Sequence, residues 1–351
     1  MAYRRILVAT DGSETAQLAL EKASRIARRC RTELIIGTAF QPPRMDQETA
    51  EEVLSYAREA ARRFGVEATT DLQRGEPADV VLEIAAHRHA DAIVLGNVGM
   101  GKPSRFRMGS VADRVAHYAP CDLLIVNTTS APEERDEEAP AVYPRILVGT
   151  DGSPTATEAV RKAFELALLL RSSVTLLYVG DSIVGSIVVD EAAKSLRLGN
   201  TQVETRIEDG DPSDALTKVA ERDSYDLVLV GNKGMAGPRR YLLGSVPNKV
   251  AHRSPTDVLI VKTVGRSVED LAPGHGGVVD ADGRKVAAYR DPSGEVIALS
   301  PRCQHMGCNV DWNDAEKTWD CPCHGSRYRL DGEVIQGPAT KGLVRVELSG
   351  D

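Results

Sequence analysis

The 351-residue sequence predicts a multidomain chain: two α/β domains, each a doubly wound parallel sheet, followed by a small all-β domain. Three observations carry this. A stretch near the N-terminus recurs about 140 residues later. Each copy alternates short apolar runs with helix-spaced patterns, which implies parallel strands covered by helices on both faces. After residue 263 the period changes to short alternating segments punctuated by Gly, Pro and Asp, an all-β signature. The expected domains are 1–128, 144–263 and 264–351, with an acidic, proline-flanked linker over 129–143.

The repeat is legible residue by residue. Arg5-Ile6-Leu7-Val8-Ala9-Thr10-Asp11-Gly12-Ser13 matches Arg145-Ile146-Leu147-Val148-Gly149-Thr150-Asp151-Gly152-Ser153 at an offset of 140. Later landmarks, such as Gly75-Glu76-Pro77 against Gly210-Asp211-Pro212, match at 135, so the second copy is shorter in its middle. A period this long means two whole domains rather than a solenoid.

Within each copy Ile6–Ala9 reads as a short buried strand, and Asp11-Gly12-Ser13 supplies turn and N-cap chemistry. Ala16, Ala19, Leu20, Ala23, Ala27 and Cys30 then lie on one helix face, as do Ala156, Ala159, Val160, Ala163, Ala167 and Leu170. Cys30 stands where the other copy has Leu170, so it reads as a small core residue. Further strands are expected at Glu33–Ile36, Ala92–Leu95 and Leu123–Val126, with counterparts Val174–Leu177, Leu227–Val230 and Val258–Val261. In the last domain Gly277–Val279, Arg284–Tyr289 and Glu295–Leu299 alternate around Asp-Gly and Ser-Gly turns, which suits an antiparallel sheet.

Composition narrows the function. A formal charge of −8 argues against a nucleic-acid binder, whose footprint is a basic patch or stripe. No apolar run approaches signal-peptide or membrane-spanning length, so a cytoplasmic protein without membrane insertion is expected. In that compartment six cysteines point to metal ligands or catalytic groups rather than a disulfide framework, and four of them crowd into residues 303–323.

After the Ala92–Leu95 strand come Gly96-Asn97-Val98-Gly99, nine residues, then Gly109-Ser110. The second copy repeats this as Gly231-Asn232-Lys233-Gly234, nine residues, then Gly244-Ser245. Glycines after a strand let backbone N–H groups approach a phosphate, and a Gly-Ser pair opening a helix adds amides and a hydroxyl. The bland alternative is a set of tight turns in an α/β sheet. Gly96-x4-Gly101-Lys102 nearly spells a Walker A loop, but Pro103 replaces the required Ser or Thr and the second copy has no equivalent Lys. His117 and His252, each near a helix end, read as caps for the last carbonyls.

With Asp after the first strand and G-x2-G-x9-G-S after the fourth, both copies resemble universal stress protein domains. The resemblance implies ATP as a ligand at Asp11, Gly96, Gly99, Gly109 and Ser110, and again at Asp151, Gly231, Gly234, Gly244 and Ser245. Lys102, Arg105 and Arg107 would add charge to the first site, Arg239 and Arg240 to the second. The family's habit of dimerising implies a pseudo-dimer of the two repeats, or a homo-dimer. No base for activating water is evident, so ATP is expected as a ligand rather than a hydrolysed substrate.

Cys303-Gln304-His305 and Cys321-Pro322-Cys323-His324 are separated by fifteen residues. Two loops that each offer a thiolate and an imidazole suit a [2Fe–2S] centre with cysteines on one iron and histidines on the other. Tetrahedral zinc also uses such a set, and a plain disulfide knot is a third alternative. The segment resembles the Rieske family across residues 264–351. That resemblance implies cluster ligation by Cys303, His305, Cys321 and His324, a loop-to-loop disulfide between Cys308 and Cys323, and hydrogen bonds from Ser326 to a bridging sulfide and from Tyr328 to a cysteine sulfur. Gly337-Pro338-Ala339 resembles the family's cluster-covering loop. Gln304 and Met306 depart from the commoner Thr and Leu at positions that are not ligands. Trp312 and Trp319 read as packing groups.

The combination implies one-electron transfer with an unknown redox partner protein, or redox sensing, coupled to nucleotide binding. The second reading is a nucleotide-binding stress regulator whose cluster reports redox state. No oxygenase catalytic domain or membrane anchor is visible to support ring hydroxylation or quinol oxidation, so an enzyme is not expected.

Overall fold

A computed structural model describes residues 3–98, 108–128, 142–195, 202–232, 243–262, 268, 271–281, 284–305, 307, 310–313, 316–321 and 325–348. The chain divides into two compact units, Met1–Thr263 and Val264–Asp351.

In the first unit the first repeat runs β1 (Arg5–Ala9), α1 (Glu14–Cys30), β2 (Glu33–Phe40), α2 (Gln47–Arg63), β3 (Ala68–Arg74), α3 (Pro77–His87), β4 (Ala92–Gly96), α4 (Ser110–Tyr118) and β5 (Asp122–Val126). The second runs β6 (Arg145–Gly149), α5 (Pro154–Leu170), β7 (Ser173–Val179), α6 (Ser182–Ser195), β8 (Val203–Glu208), α7 (Pro212–Arg222), β9 (Leu227–Gly231), α8 (Ser245–Arg253) and β10 (Asp257–Val261). The same local devices set both first helices. The Ser13 and Ser153 hydroxyls accept the N–H of Ala16 and Ala156, and Arg31 and Arg171 end the helices in left-handed conformation.

The strand order is β3-β2-β1-β4-β5-β10-β9-β6-β7-β8, one ten-stranded sheet. Pairing is parallel within each repeat and antiparallel at the seam, where Leu124 faces Leu259 and Ile125 faces Val258. The two repeats therefore pair inside one chain. Every residue of β5 and β10 is buried, as strands covered on both faces require. One apolar layer gathers α1, α2, α5 and α6 against the sheet, the other α3, α4, α7 and α8, and each layer contains residues of both repeats.

Cys30 lies in the first layer, and burial pushes its thiol up to about 11, so it is an inert core residue. β2 runs longer than its apolar core suggests, and β3 and β8 are strands with largely exposed or half-buried polar residues. Among the described residues no helix is long and apolar enough to cross a membrane.

The second unit holds two antiparallel sheets. One is β11 (His275–Ala281), β12 (Arg284–Arg290) and β13 (Val296–Leu299); the other is β14 (Asp311–Asn313), β15 (Thr318–Asp320), β16 (Arg327–Tyr328) and β17 (Val334–Gln336). Its core joins Ala287, Tyr289, Leu299, Val310, Trp319, Tyr328 and Leu343 with Cys303 and Cys321. Trp319 is fully buried with its ring 4.9 Å from that of Trp312, the packing role expected of both.

Candidate functional site

In each repeat the order of strands reverses between β1 and β4, or β6 and β9, which pair as neighbours. Ligands of open α/β sheets bind in the crevice at such a switch point, beyond the carboxyl ends of the strands. The turn after β1 brings Asp11 there, and the end of β4 brings Gly96. Asp11 Oδ1 accepts the Ser13 N–H at 3.0 Å and the Ser13 hydroxyl at 2.5 Å, and Asp151 Oδ1 accepts the Ser153 N–H at 2.9 Å. Gly12 and Gly152 allow this turn at φ +80° and +75°.

Asn97 closes the loop between β4 and α4. Its carbonyl accepts the Gly109 N–H at 2.7 Å, and its Oδ1 accepts the Thr128 N–H and hydroxyl at 3.0 and 2.7 Å. In the second repeat the Asn232 carbonyl accepts the Gly244 N–H at 2.8 Å. This brings Gly109-Ser110 and Gly244-Ser245 back beside the strand ends. Helices α4 and α8 begin at these glycines with no side-chain cap, as α3 does at Glu76, whereas Ser13, Asp46, Ser153 and Asp211 cap α1, α2, α5 and α7. The first N–H groups of α4 and α8 are thus left to solvent or to an anion. Gly99, Gly234, Lys102, Arg105, Arg107, Arg239 and Arg240 lie outside the described residues.

Residue Gly231 is pressed more tightly than Gly96. An added Cβ would stand 2.7 Å from the Thr155 carbonyl oxygen, against 3.3 Å from that of Thr15 at Gly96. Gly231→Ala is therefore expected to lower stability by about 1–3 kcal/mol and Gly96→Ala by less, as urea unfolding followed by circular dichroism checks.

The histidines divide. His117 Nδ1 lies 2.9 Å from the carbonyl of Asp113, which belongs to the first turn of α4 and is not one of the last carbonyls expected as its partners. His252 reaches across the seam instead, its Nε2 standing 3.1 Å from Asp113 Oδ1. The sequence gives no sign of this because the partner lies in the other repeat.

In the second unit the Cys303 segment follows β13, and Cys321 opens the loop that the β15–β16 pair brackets through Asp320 and Arg327. Three bonds hold that bracket: Asp320 accepts Arg327 Nε at 3.0 Å, Asn313 Nδ2 at 2.9 Å and the Thr318 hydroxyl at 2.8 Å. Burial opposes ionisation of Asp320, but hydrogen bonds from Asn313, Arg327 and Thr318 hold it below the usual carboxylate range. Gly307 donates to the Cys303 carbonyl at 2.9 Å and Gly325 to that of Cys321 at 3.0 Å, tightening both loops.

Cys303 and Cys321 are 2% and 3% exposed, yet their thiols lie within hydrogen-bonding reach of one another. The Tyr328 hydroxyl lies 3.0 Å from Cys303 Sγ. Burial pushes the Cys303 thiol up, but the Tyr328 hydroxyl, the His305 N–H and the Cys321 and Ser326 side chains outweigh it and lower it. In turn burial, then the bond to Cys303, pushes Tyr328 up to about 12, so it stays a donor. Ser326 is fully buried, and its Oγ accepts the Ala339 N–H at 3.0 Å. That leaves the hydroxyl proton to donate elsewhere. His305 is exposed. Among the described residues no three His, Cys, Asp or Glu side chains converge as a ligand set; the two thiols do converge. Cys308, Cys323 and His324 lie outside the described residues. Two buried thiols within reach of one another, that of Cys303 with lowered proton affinity and a phenol beside its sulfur, fit the thiolate end of an iron–sulfur centre. The anchors Asn97, Asp320 and the Ala339 N–H went unseen in the sequence, although Asn97 recurs as Asn232.

Comparison with known proteins agrees with this division. The universal stress protein family matches residues 2–127, 143–193 and 185–262, and the Rieske [2Fe-2S] domain matches residues 262–347. A Bacillus subtilis (strain 168) protein, YhfW, described as a Rieske 2Fe-2S iron-sulfur protein, is 50% identical over 80 residues, which is 23% of this chain but only 16% of that protein. A Staphylococcus aureus (strain USA300) protein described as a universal stress protein is 32% identical over 149 residues, spanning 38% of this chain and 90% of its own length. The crystal structure of a universal stress protein from Archaeoglobus fulgidus DSM 4304 superposes with a TM-score of 0.61 at 19% identity, over 74% of this chain and 98% of that one.

Proposed function

The chain belongs to the universal stress protein family and carries a Rieske [2Fe–2S] domain C-terminal to its two repeats, and on that premise we propose that it is a one-electron carrier or redox sensor whose repeats bind ATP. Cys303 and Cys321 would hold one iron of the cluster and His305 and His324 the other. When bound, the cluster supplies reversible one-electron chemistry at a potential raised by its neutral imidazoles. The observation that carries the reading is the Tyr328 hydroxyl 3.0 Å from a buried cysteine sulfur.

The chain's own residues tune and shield the site. Tyr328 and Ser326 donate toward sulfur and draw off electron density, while the core around Trp319 and Leu343 excludes water from the thiolates. Exposed His305 places the imidazole end at the surface of its unit, where a partner protein can meet it. In the repeats, Asp11 and Asp151 meet the nucleoside end of ATP, and the amides after Gly96, Gly109, Gly231 and Gly244 meet its phosphates, with Gly99, Ser110, Gly234 and Ser245 completing the two loops. The switch-point placement and the uncapped α4 and α8 support that half.

Low-temperature EPR of anaerobically purified, dithionite-reduced protein, with iron and sulfide analysis, tests the cluster. A rhombic signal with equal iron and sulfide is expected; a colourless zinc protein would overturn it. Tyr328→Phe is expected to keep the cluster and lower its midpoint potential on the order of 50 mV, the equivalent of a tenfold change for one electron, as a redox titration measures. ATP that shifts this midpoint would favour the sensor over the carrier, since coupling is reciprocal.

A further inference from the structure

Two buried carboxylates cross the seam between the repeats in pseudo-symmetric fashion. Asp257, 3% exposed, accepts the Tyr143 hydroxyl at 2.7 Å, Lys22 Nζ at 2.6 Å and the Asn127 N–H at 2.9 Å. Asp122, 6% exposed, accepts the Tyr3 hydroxyl and the Lys262 N–H, both at 2.9 Å, with Lys162 Nζ at 3.5 Å. Each tyrosine belongs to the carboxylate's own repeat. Each lysine and each backbone N–H comes from the other repeat. The ammonium groups also sit over the phenol rings, Lys22 4.8 Å from the Tyr143 centroid and Lys162 4.4 Å from that of Tyr3.

What each carboxylate grips in the opposite repeat is the frame of a nucleotide loop. Lys22 lies on α1, the helix that Asp11-Gly12-Ser13 opens. Asn127 follows β5 and precedes Thr128, whose N–H and hydroxyl bind Asn97. Asp257 of the second repeat thus contacts both the helix that follows the first repeat's Asp11 turn and the segment after β5 that anchors its β4–α4 loop. Reciprocally, Lys162 lies on α5 after Asp151-Gly152-Ser153, and Lys262 follows Val261, whose carbonyl accepts the Asn232 N–H at 2.9 Å. Asp122 of the first repeat grips both. Losing the buried carboxylate leaves the opposite repeat's ammonium and backbone N–H without their partner, at a greater cost for Lys162, 13% exposed, than for Lys22, 33% exposed.

We propose that each buried carboxylate is a positioning residue for the nucleotide site of the opposite repeat: Asp257 for the site of Asp11, Gly96 and Gly109, and Asp122 for that of Asp151, Gly231 and Gly244. This rests on the reading of the repeats as ATP-binding. A carboxylate that merely stabilised the seam would affect both sites alike.

The test uses the full chain in two single-site parents, Asp151→Ala, which keeps the first site, and Asp11→Ala, which keeps the second. Isothermal titration with magnesium-ATP reads affinity. Adding Asp257→Asn to Asp151→Ala is expected to weaken binding about tenfold, within the usual range of coupling between sites, and to leave Asp11→Ala unchanged. Adding Asp122→Asn is expected to give the reverse pattern. Tyr143→Phe and Tyr3→Phe keep the buried charge and remove one hydrogen bond. They are expected to reproduce the crossed pattern at about threefold, so the test survives any Asn variant that fails to fold. Equal losses in both parents, or a loss at the carboxylate's own repeat, would overturn the inference alone. An unsubstituted chain that does not bind magnesium-ATP would overturn the nucleotide reading and this inference with it.

Discussion

Cys303→Ser protein, purified anaerobically, is expected to lose the reduced EPR signal and most of its iron and sulfide while staying folded. Serine fills nearly the same volume and keeps the contacts of Tyr328 and the His305 N–H, so the core of the second unit is little disturbed. Its hydroxyl does not ionise as the thiol does, and Cys303 sits where its neighbours already lower the thiol's proton affinity. Removing even a group that only orients a metal ligand costs about 10–100-fold in affinity, so removing a ligand costs more. Cys30→Ser is the control, because Cys30 lies in the apolar layer of the first unit; its cluster content should match the unsubstituted protein. Iron and signal surviving in Cys303→Ser would move the thiolate role to another residue.

Leu124→Asp is expected to remove most of the stability of the first unit and to spare the cluster. Leu124 is 4% exposed, faces Leu259 across the seam and belongs to an apolar layer drawn from both repeats. Replacing a buried Leu by a smaller side chain costs about 2–5 kcal/mol, and an unpaired buried carboxylate adds several more. Against a typical total of about 5–15 kcal/mol, that leaves little. Leu124 lies in one compact unit and Cys303 and Cys321 in the other, so the EPR signal should persist while urea unfolding by circular dichroism shifts to much lower denaturant. An unchanged midpoint would mean that each repeat folds without the seam.

Much of this architecture can be read before any coordinates. The apolar runs at β1, β4, β5, β6, β9 and β10 are buried on both faces, so composition alone marks them. The edge strands β3 and β8 escape that reading because Thr70, Glu204 and their neighbours stand exposed or half-buried and carry no apolar run. Register is equally hidden: nothing in Leu123–Val126 says that its free edge meets Val258–Ile260 in antiparallel fashion. The candidate cluster ligands are legible because their spacing is local, and the resemblance that this spacing supports also implies the Tyr328 contact; the anchor of Ser326 on the Ala339 N–H shows only in the fold. The seam carboxylates left a quieter trace. Tyr3 and Tyr143, Lys22 and Lys162, and Asp122 and Asp257 are identical pairs at the repeat offsets, although the surrounding helices diverge. A phenol, an ammonium and a carboxylate retained together at both copies are the residues to pair across an interface.

The seam also sets a timetable for biosynthesis. The first repeat emerges from the ribosome with β5 complete but its outer edge bare, and the strand that covers it, Asp257–Val261, follows some 130 residues later. At about 5–20 residues per second the wait is roughly 7–26 s. Throughout it, a five-residue edge with four apolar residues, Leu123 to Val126, is available to the same edge of a neighbouring nascent chain on the polysome, in the same antiparallel sense that the finished seam uses. Slower translation of the second repeat should therefore raise the yield of exchanged dimers, and a crowded message should raise it further.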